Sequence, residues 1–176
     1  MDENKLPKRK HTRLKEYDYS AGGAYFLTIC TQGRKNVLTK IDCNVVGRGL
    51  APAVKITNTK YGQIAEEELK NLEIRFPCVK LGEYVIMPNH IHLILHIDGE
   101  KTAGASPRPT IMDVVCAFKS IVTIKCKRNG YKDKLFQTSF YDRIIRSNDE
   151  YMEICNYIYL NPQNWERDEL YCEEEI

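Results

Sequence analysis

The chain has 176 residues, 43% of them hydrophobic, and a formal net charge of +2. That length suits one domain with a sizeable core, and that apolar content excludes a disordered chain. No apolar run approaches membrane-spanning length and no apolar segment opens the chain, so a cytoplasmic protein is expected; seven scattered cysteines without a C-x-x-C pair exclude a disulfide framework and a structural zinc module.

In chain order, residues 1–20 read as a basic arm carrying Lys5, Lys8, Arg9, Lys10, Arg13 and Lys15. Gly22-Gly23 marks a turn, and the aromatic and β-branched run 24–31 reads as a strand. Gln32 to Lys35 forms a basic turn suited to a phosphate. Residues 36–60, broken by Gly47, Gly49 and Pro52, read mostly as loop, with a short strand at 54–57. Helical spacing over 60–75 turns Ile64, Ala65, Leu69, Leu72 and Ile74 inward and Glu66, Glu67, Glu68 and Lys70 outward, with Pro77 as the stop. Strand 79–87 then turns at Met87-Pro88-Asn89 into a second strand, an antiparallel hairpin.

That second strand alternates. Ile91, Leu93, Leu95 and Ile97 share one face; His90, His92, Ile94 and His96 share the other. Beyond a polar linker at 99–109, Thr110 caps a helix over 111–128. Val114, Val115, Phe118, Ile121, Val122 and Ile124 face inward, and Asn129-Gly130 ends it. Lys119, Lys125, Lys127, Arg128, Lys132 and Lys134 form a second basic cluster, which together with the arm favours a polyanionic partner. Residues 135–145 read as extended. Ser147 and Glu150 form a capping-box pattern before a helix carrying Tyr151, Ile154, Cys155, Ile158 and Tyr159, which ends before Pro162. The order of elements predicts an α+β fold, an antiparallel β-sheet with helices mainly on one face and the histidines on the other.

Two imidazoles on one rigid strand face form half of a divalent-metal site, or simply two histidines on a polar sheet face. Extending the set to His96 suggests a phosphoester hydrolase, but Ile94 stands where a third alternating histidine belongs. On the last helix Tyr157 and Asn161 are four apart and share a face. A tyrosine hydroxyl can act as a nucleophile, and an amide oxygen suits a hard cation.

Met87-Pro88-Asn89-His90-Ile91-His92, then Tyr141 to Arg146, then Tyr157-Ile158-Tyr159-Leu160-Asn161-Pro162 resemble the REP-associated tyrosine transposases, single-tyrosine members of the His-hydrophobe-His (HUH) DNA endonucleases. The resemblance spans residues 17–165. It implies a ferredoxin- or RRM-like HUH endonuclease fold over 21–165; residues 166–176, ending in Glu173, Glu174 and Glu175, read from their charge as an acidic tail. It implies Tyr157 as nucleophile, His90, His92 and Asn161 as ligands of Mg²⁺ or Mn²⁺, and Tyr159 as a packing residue. The implied activity is nicking and rejoining of single-stranded DNA near palindromic hairpin repeats through a 5′-phosphotyrosine link, by a monomer or homodimer. Backbone contacts are expected from Arg9, Lys10, Arg13, Arg34, Lys35, Lys119, Lys125, Arg128, Arg143 and Arg146, and base stacking from Tyr17, Tyr19 or Phe140. The alternative on the same scaffold is a non-catalytic binding protein for structured DNA or RNA.

Overall fold

A computed structural model describes residues 22–44, 53–99 and 109–172. Among the described residues there are six strands, β1 (Gly23–Cys30), β2 (Thr39–Asn44), β3 (Ala53–Asn58), β4 (Val79–Ile86), β5 (His90–Ile97) and β6 (Tyr141–Ile145). The same residues include four α-helices, α1 (Lys60–Lys70), α2 (Leu72–Arg75), α3 (Ile111–Arg128) and α4 (Asn148–Leu160). A 3₁₀ helix, Asn161–Arg167, follows α4 directly. The basic arm with Arg9, Lys10, Arg13, Tyr17 and Tyr19, and the acidic end at Glu173, Glu174 and Glu175, lie outside the described residues.

The main sheet runs β4-β5-β1-β6 and every pairing in it is antiparallel. The expected α+β class and the β4–β5 hairpin are both present. β5 is interior, with β1 and β4 on its two sides, so its apolar parity must be covered. Ile91, Leu93, Leu95 and Ile97 pack with Tyr25, Leu27 and Ile29 of β1 against Ala65, Leu69, Val114, Phe118 and Val122 of α1 and α3. Burial of this face is the main stabilising term, at roughly 1.5–3 kcal/mol for each large aliphatic side chain. The opposite parity of β1 and β5 packs on α4, through Phe26, Ile94, Ile154 and Ile158. Helices thus cover both faces, three on one side and one on the other.

Several expectations change in detail. The helix expected over 60–75 is interrupted at Asn71, whose backbone N–H closes α1 onto Glu67 and Leu69 carbonyls. Glu68, expected outward, is 1% exposed; Arg75 Nη2 (2.9 Å) and Lys125 Nζ (2.6 Å) meet its carboxylate, which ties α1 to α2 and α3. Periodicity alone reads such a carboxylate as solvated because its cations come from elsewhere in the chain. Ile74 and Ile124, expected inward, are exposed, and so is Tyr159, expected to pack. Residues 39–44, expected as loop, pair with β3 as a separate two-stranded ribbon. Its base is pinned where Gly62 of α1 meets the Leu38 backbone so closely that a Cβ would collide with the carbonyl. No helix among the described residues is long and apolar enough to cross a membrane, and Cys30, Cys78, Cys116, Cys126, Cys155 and Cys172 are free thiols.

Candidate functional site

Register decides where the histidines point. Antiparallel pairing sets Thr28 opposite His92 and Cys30 opposite His90, so these four side chains share the face away from the main core. The two imidazoles lie with ring centroids 4.4 Å apart, and both are buried. His92 also stacks on Phe26 at 5.3 Å, and His90 lies 6.0 Å from the Trp165 ring.

Hydrogen bonds orient each ring. His90 Nδ1 lies 2.8 Å from Asn89 Oδ1, and His92 Nδ1 lies 2.9 Å from Thr28 Oγ1. An amide oxygen only accepts, so the His90 proton is on Nδ1 and its Nε2 presents a lone pair; His92 Nε2 faces the same space. Burial pushes both imidazoles down from 6.5 to about 3. The Arg34 charge adds to this at His90, and His90 adds to it at His92. Both rings are therefore neutral at physiological pH, the form that binds metal.

Helix α4 brings Tyr157 to the same place. Its hydroxyl lies 3.2 Å from His92 Nε2, and its ring meets Phe26 edge-on at 6.0 Å. Burial, with help from Asp168, raises its pKa, so the hydroxyl is protonated. Asn161 follows at the helix end, 3% exposed, with its side chain against His90 and Tyr157. The residues expected from sequence to form the site, His90, His92, Tyr157 and Asn161, come together.

Sequence reasoning missed one member. Asp168 offers a carboxylate oxygen within 4.8 Å of the ligand nitrogens of His90 and His92. Its Oδ2 accepts from Asn161 Nδ2 at 3.0 Å, and its Oδ1 accepts from the Leu170 N–H at 2.6 Å. The segment expected to begin an acidic tail at 166 instead folds across the centre. Arg34 Nη1 reaches Glu169 O (3.3 Å) and Asn36 Nδ2 reaches Cys172 O (2.9 Å). The only sequence signal was an acidic residue seven positions past Asn161, and no periodicity marks it.

The donor set fits a divalent cation. His90 Nε2 and Asn161 Oδ1 are buried without a hydrogen-bond partner, a costly state for isolated lone pairs. Two imidazole nitrogens with a carboxylate and an amide oxygen make a mixed nitrogen and oxygen set suited to a divalent cation. His96 lies further along β5 against Tyr151, at 5.6 Å between rings, and stands outside this group.

A cleft of about 1030 Å³ opens beside the centre, with His92, Tyr157, Asn161, Arg167 and Asp168 in its walls and Phe140 and Tyr141 at its aromatic side. The cations expected to touch a backbone are dispersed. Lys35 is paired with Asp133 at 2.7 Å and Arg143 with Glu150 at 2.7 Å, while Lys119 donates to Gln137 O and Thr138 O. Lys125 is committed to Glu67 and Glu68, and it lies with Arg128 on α3, against the opposite face of the sheet. Arg146 is exposed just beyond β6. Arg34 is next to the centre and Arg167 lines the cleft.

No family model matches the chain. An uncharacterized protein of Haemophilus influenzae is 32% identical over 178 residues, covering 93% of each chain. The structure of a REP-associated tyrosine transposase bound to a REP hairpin matches with a TM-score of 0.56 and 20% identity, over 86% of this chain and 74% of that one. The chain therefore belongs to one family with the Haemophilus influenzae protein, and it carries the fold of the REP-associated tyrosine transposases.

Proposed function

We propose that this protein is a metal-dependent, single-tyrosine DNA endonuclease and strand transferase of the HUH type, acting on single-stranded DNA beside hairpin repeats. One observation carries the reading: the Tyr157 hydroxyl reaches the same buried corner as His92 Nε2, within a cluster whose other donors, His90 Nε2 and Asn161 Oδ1, are unpartnered. A tyrosine placed only for packing has no reason to aim its hydroxyl there. The cleft beside it is open enough to admit a flexible strand, and Phe140 and Tyr141 offer ring faces for unpaired bases.

His90, His92, Asn161 and Asp168 would hold Mg²⁺ or Mn²⁺. When bound, the ion supplies Lewis-acid stabilisation of charge on a phosphate oxygen. The chain does the rest. Asn89 and Thr28 hold the imidazoles, and Phe26 holds the His92 ring and the Tyr157 ring in register. Tyr157 Oη attacks phosphorus; the Oη–P bond forms and the P–O3′ bond breaks. The tyrosine proton leaves to water in the open cleft, and the departing 3′ oxygen takes up a proton. The products are a 5′-phosphotyrosine and a free 3′-OH. Attack by another 3′-OH on that link reverses the step and joins strands without an external energy source.

The test incubates the protein with labelled single-stranded hairpin DNA from the repeats flanking its own gene, with Mn²⁺ or Mg²⁺, and resolves it on a denaturing gel. A covalent band that needs the ion and disappears in Tyr157→Phe is expected. Cleavage that persists in Tyr157→Phe would move the nucleophile elsewhere. Hairpin binding with no adduct under either metal would leave a binding protein on this scaffold.

A further inference from the structure

Asn89 is fully buried, and its carboxamide is saturated. Nδ2 donates to Leu170 O at 2.7 Å and to Arg34 O at 3.3 Å. Two backbone carbonyls can only accept, so the amide orientation is fixed. Oδ1 must then face His90 Nδ1, at 2.8 Å. An amide oxygen can only accept as well, so the proton of the neutral His90 ring is on Nδ1 and the lone pair is on Nε2. Nε2 is the atom left without a partner in the centre.

The same side chain joins three distant segments. Arg34 presents its carbonyl from a left-handed backbone, φ 55° after Gly33 at φ 67°, a conformation that is strained for a non-glycine residue. Leu170 lies two residues past Asp168, and its N–H already holds the Asp168 carboxylate at 2.6 Å. Gripping Leu170 O therefore seats the turn that aims Asp168. We infer that Asn89 is the positioning residue of the centre: one carboxamide sets the tautomer of His90 and latches the segment that delivers Asp168. This rests on the metal-centre reading above.

The test reads metal binding and tautomer, not turnover. In the native protein without added metal, ¹⁵N NMR of the histidine side chains should show His90 protonated at Nδ1 alone. A His90 protonated at Nε2 overturns the inference, and that measurement needs no variant. In Asn89→Ala the His90 tautomers should mix, the Leu170 amide should lose hydrogen-exchange protection, and Mn²⁺ affinity read by EPR should fall about 10- to 100-fold. In Asn89→Asp a carboxylate oxygen still accepts from Nδ1, so the tautomer should be kept while the Leu170 amide loses protection. Mn²⁺ affinity in folded Asn89→Ala within about two-fold of native would overturn the proposal. Weakened Mn²⁺ binding in Asn89→Ala with no DNA adduct from the native protein would support it and overturn the proposed reaction. A native protein that binds no Mn²⁺ overturns both.

Discussion

Acid should destabilise the metal-free protein well before its carboxylates begin to titrate. In the fold His90 and His92 are held from 6.5 down to about 3, chiefly by burial. An unfolded chain takes up a proton at each near pH 6.5, while the folded chain takes up none until near pH 3, so between these values the unfolded state binds more protons and stability falls with falling pH. With each pKa unit equivalent to about 1.4 kcal/mol, moving from about pH 7 to about pH 5 removes roughly 2 kcal/mol per histidine, or roughly 4 kcal/mol for the pair. His96 is also lowered by burial and acts in the same direction. The lowered carboxyls of Glu66, Glu68, Asp113 and Glu150 contribute stability that is lost only below their ordinary values of 4.5 or 3.8, outside this window. Urea denaturation in chelator at the two pH values measures the difference. His90→Gln/His92→Gln should flatten most of the slope, whatever its absolute stability. A native slope near zero, or an equal slope in the double variant, would refute the argument.

Gly62→Ala should destabilise by about 2 kcal/mol or more, because the new methyl meets backbone at Leu38 and not a yielding side chain; thermal melting checks it. Asp168→Asn removes the charge and one of the two acceptors that meet Asn161 Nδ2 and the Leu170 N–H, so Mn²⁺ affinity by calorimetry should fall at least about ten-fold, and melting in chelator should show a loss of about 1–3 kcal/mol. Thr28→Val leaves His92 Nδ1 without its partner; a loss of about 1–3 kcal/mol in chelator, together with weaker Mn²⁺ binding, is expected. Chelation of divalent ions should abolish the covalent DNA band and leave hairpin retardation on a native gel in place.

The strand alternation from His90 to Ile97 was legible in the sequence because one face of β5 is buried by aliphatics and the other carries polar rings, a contrast with period two. The turn Met87-Pro88-Asn89 and the capped helix ending at Asn161 were legible for equally local reasons. Phe26, Thr28 and Cys30 were not, because their role appears only when β1 is set against β5. Glu68 looked solvated because Arg75 and Lys125, the cations that permit its burial, arrive from other turns and another helix. Asp168 belongs to a short 3₁₀-to-extended turn, where no repeat of hydrophobicity reports position. Lys125 misled for the converse reason: a lysine committed to a buried carboxylate is indistinguishable in sequence from one that faces solvent.

Tyr157 Oη lies 3.2 Å from His92 Nε2, and that nitrogen has at most one lone pair to give. On the function proposed above, an ion held by His92 would take that lone pair, and the hydroxyl would give up its contact there. The ring, edge-on to Phe26, would stay at the wall of the cleft. Filling the centre and releasing the tyrosine oxygen would then be coupled.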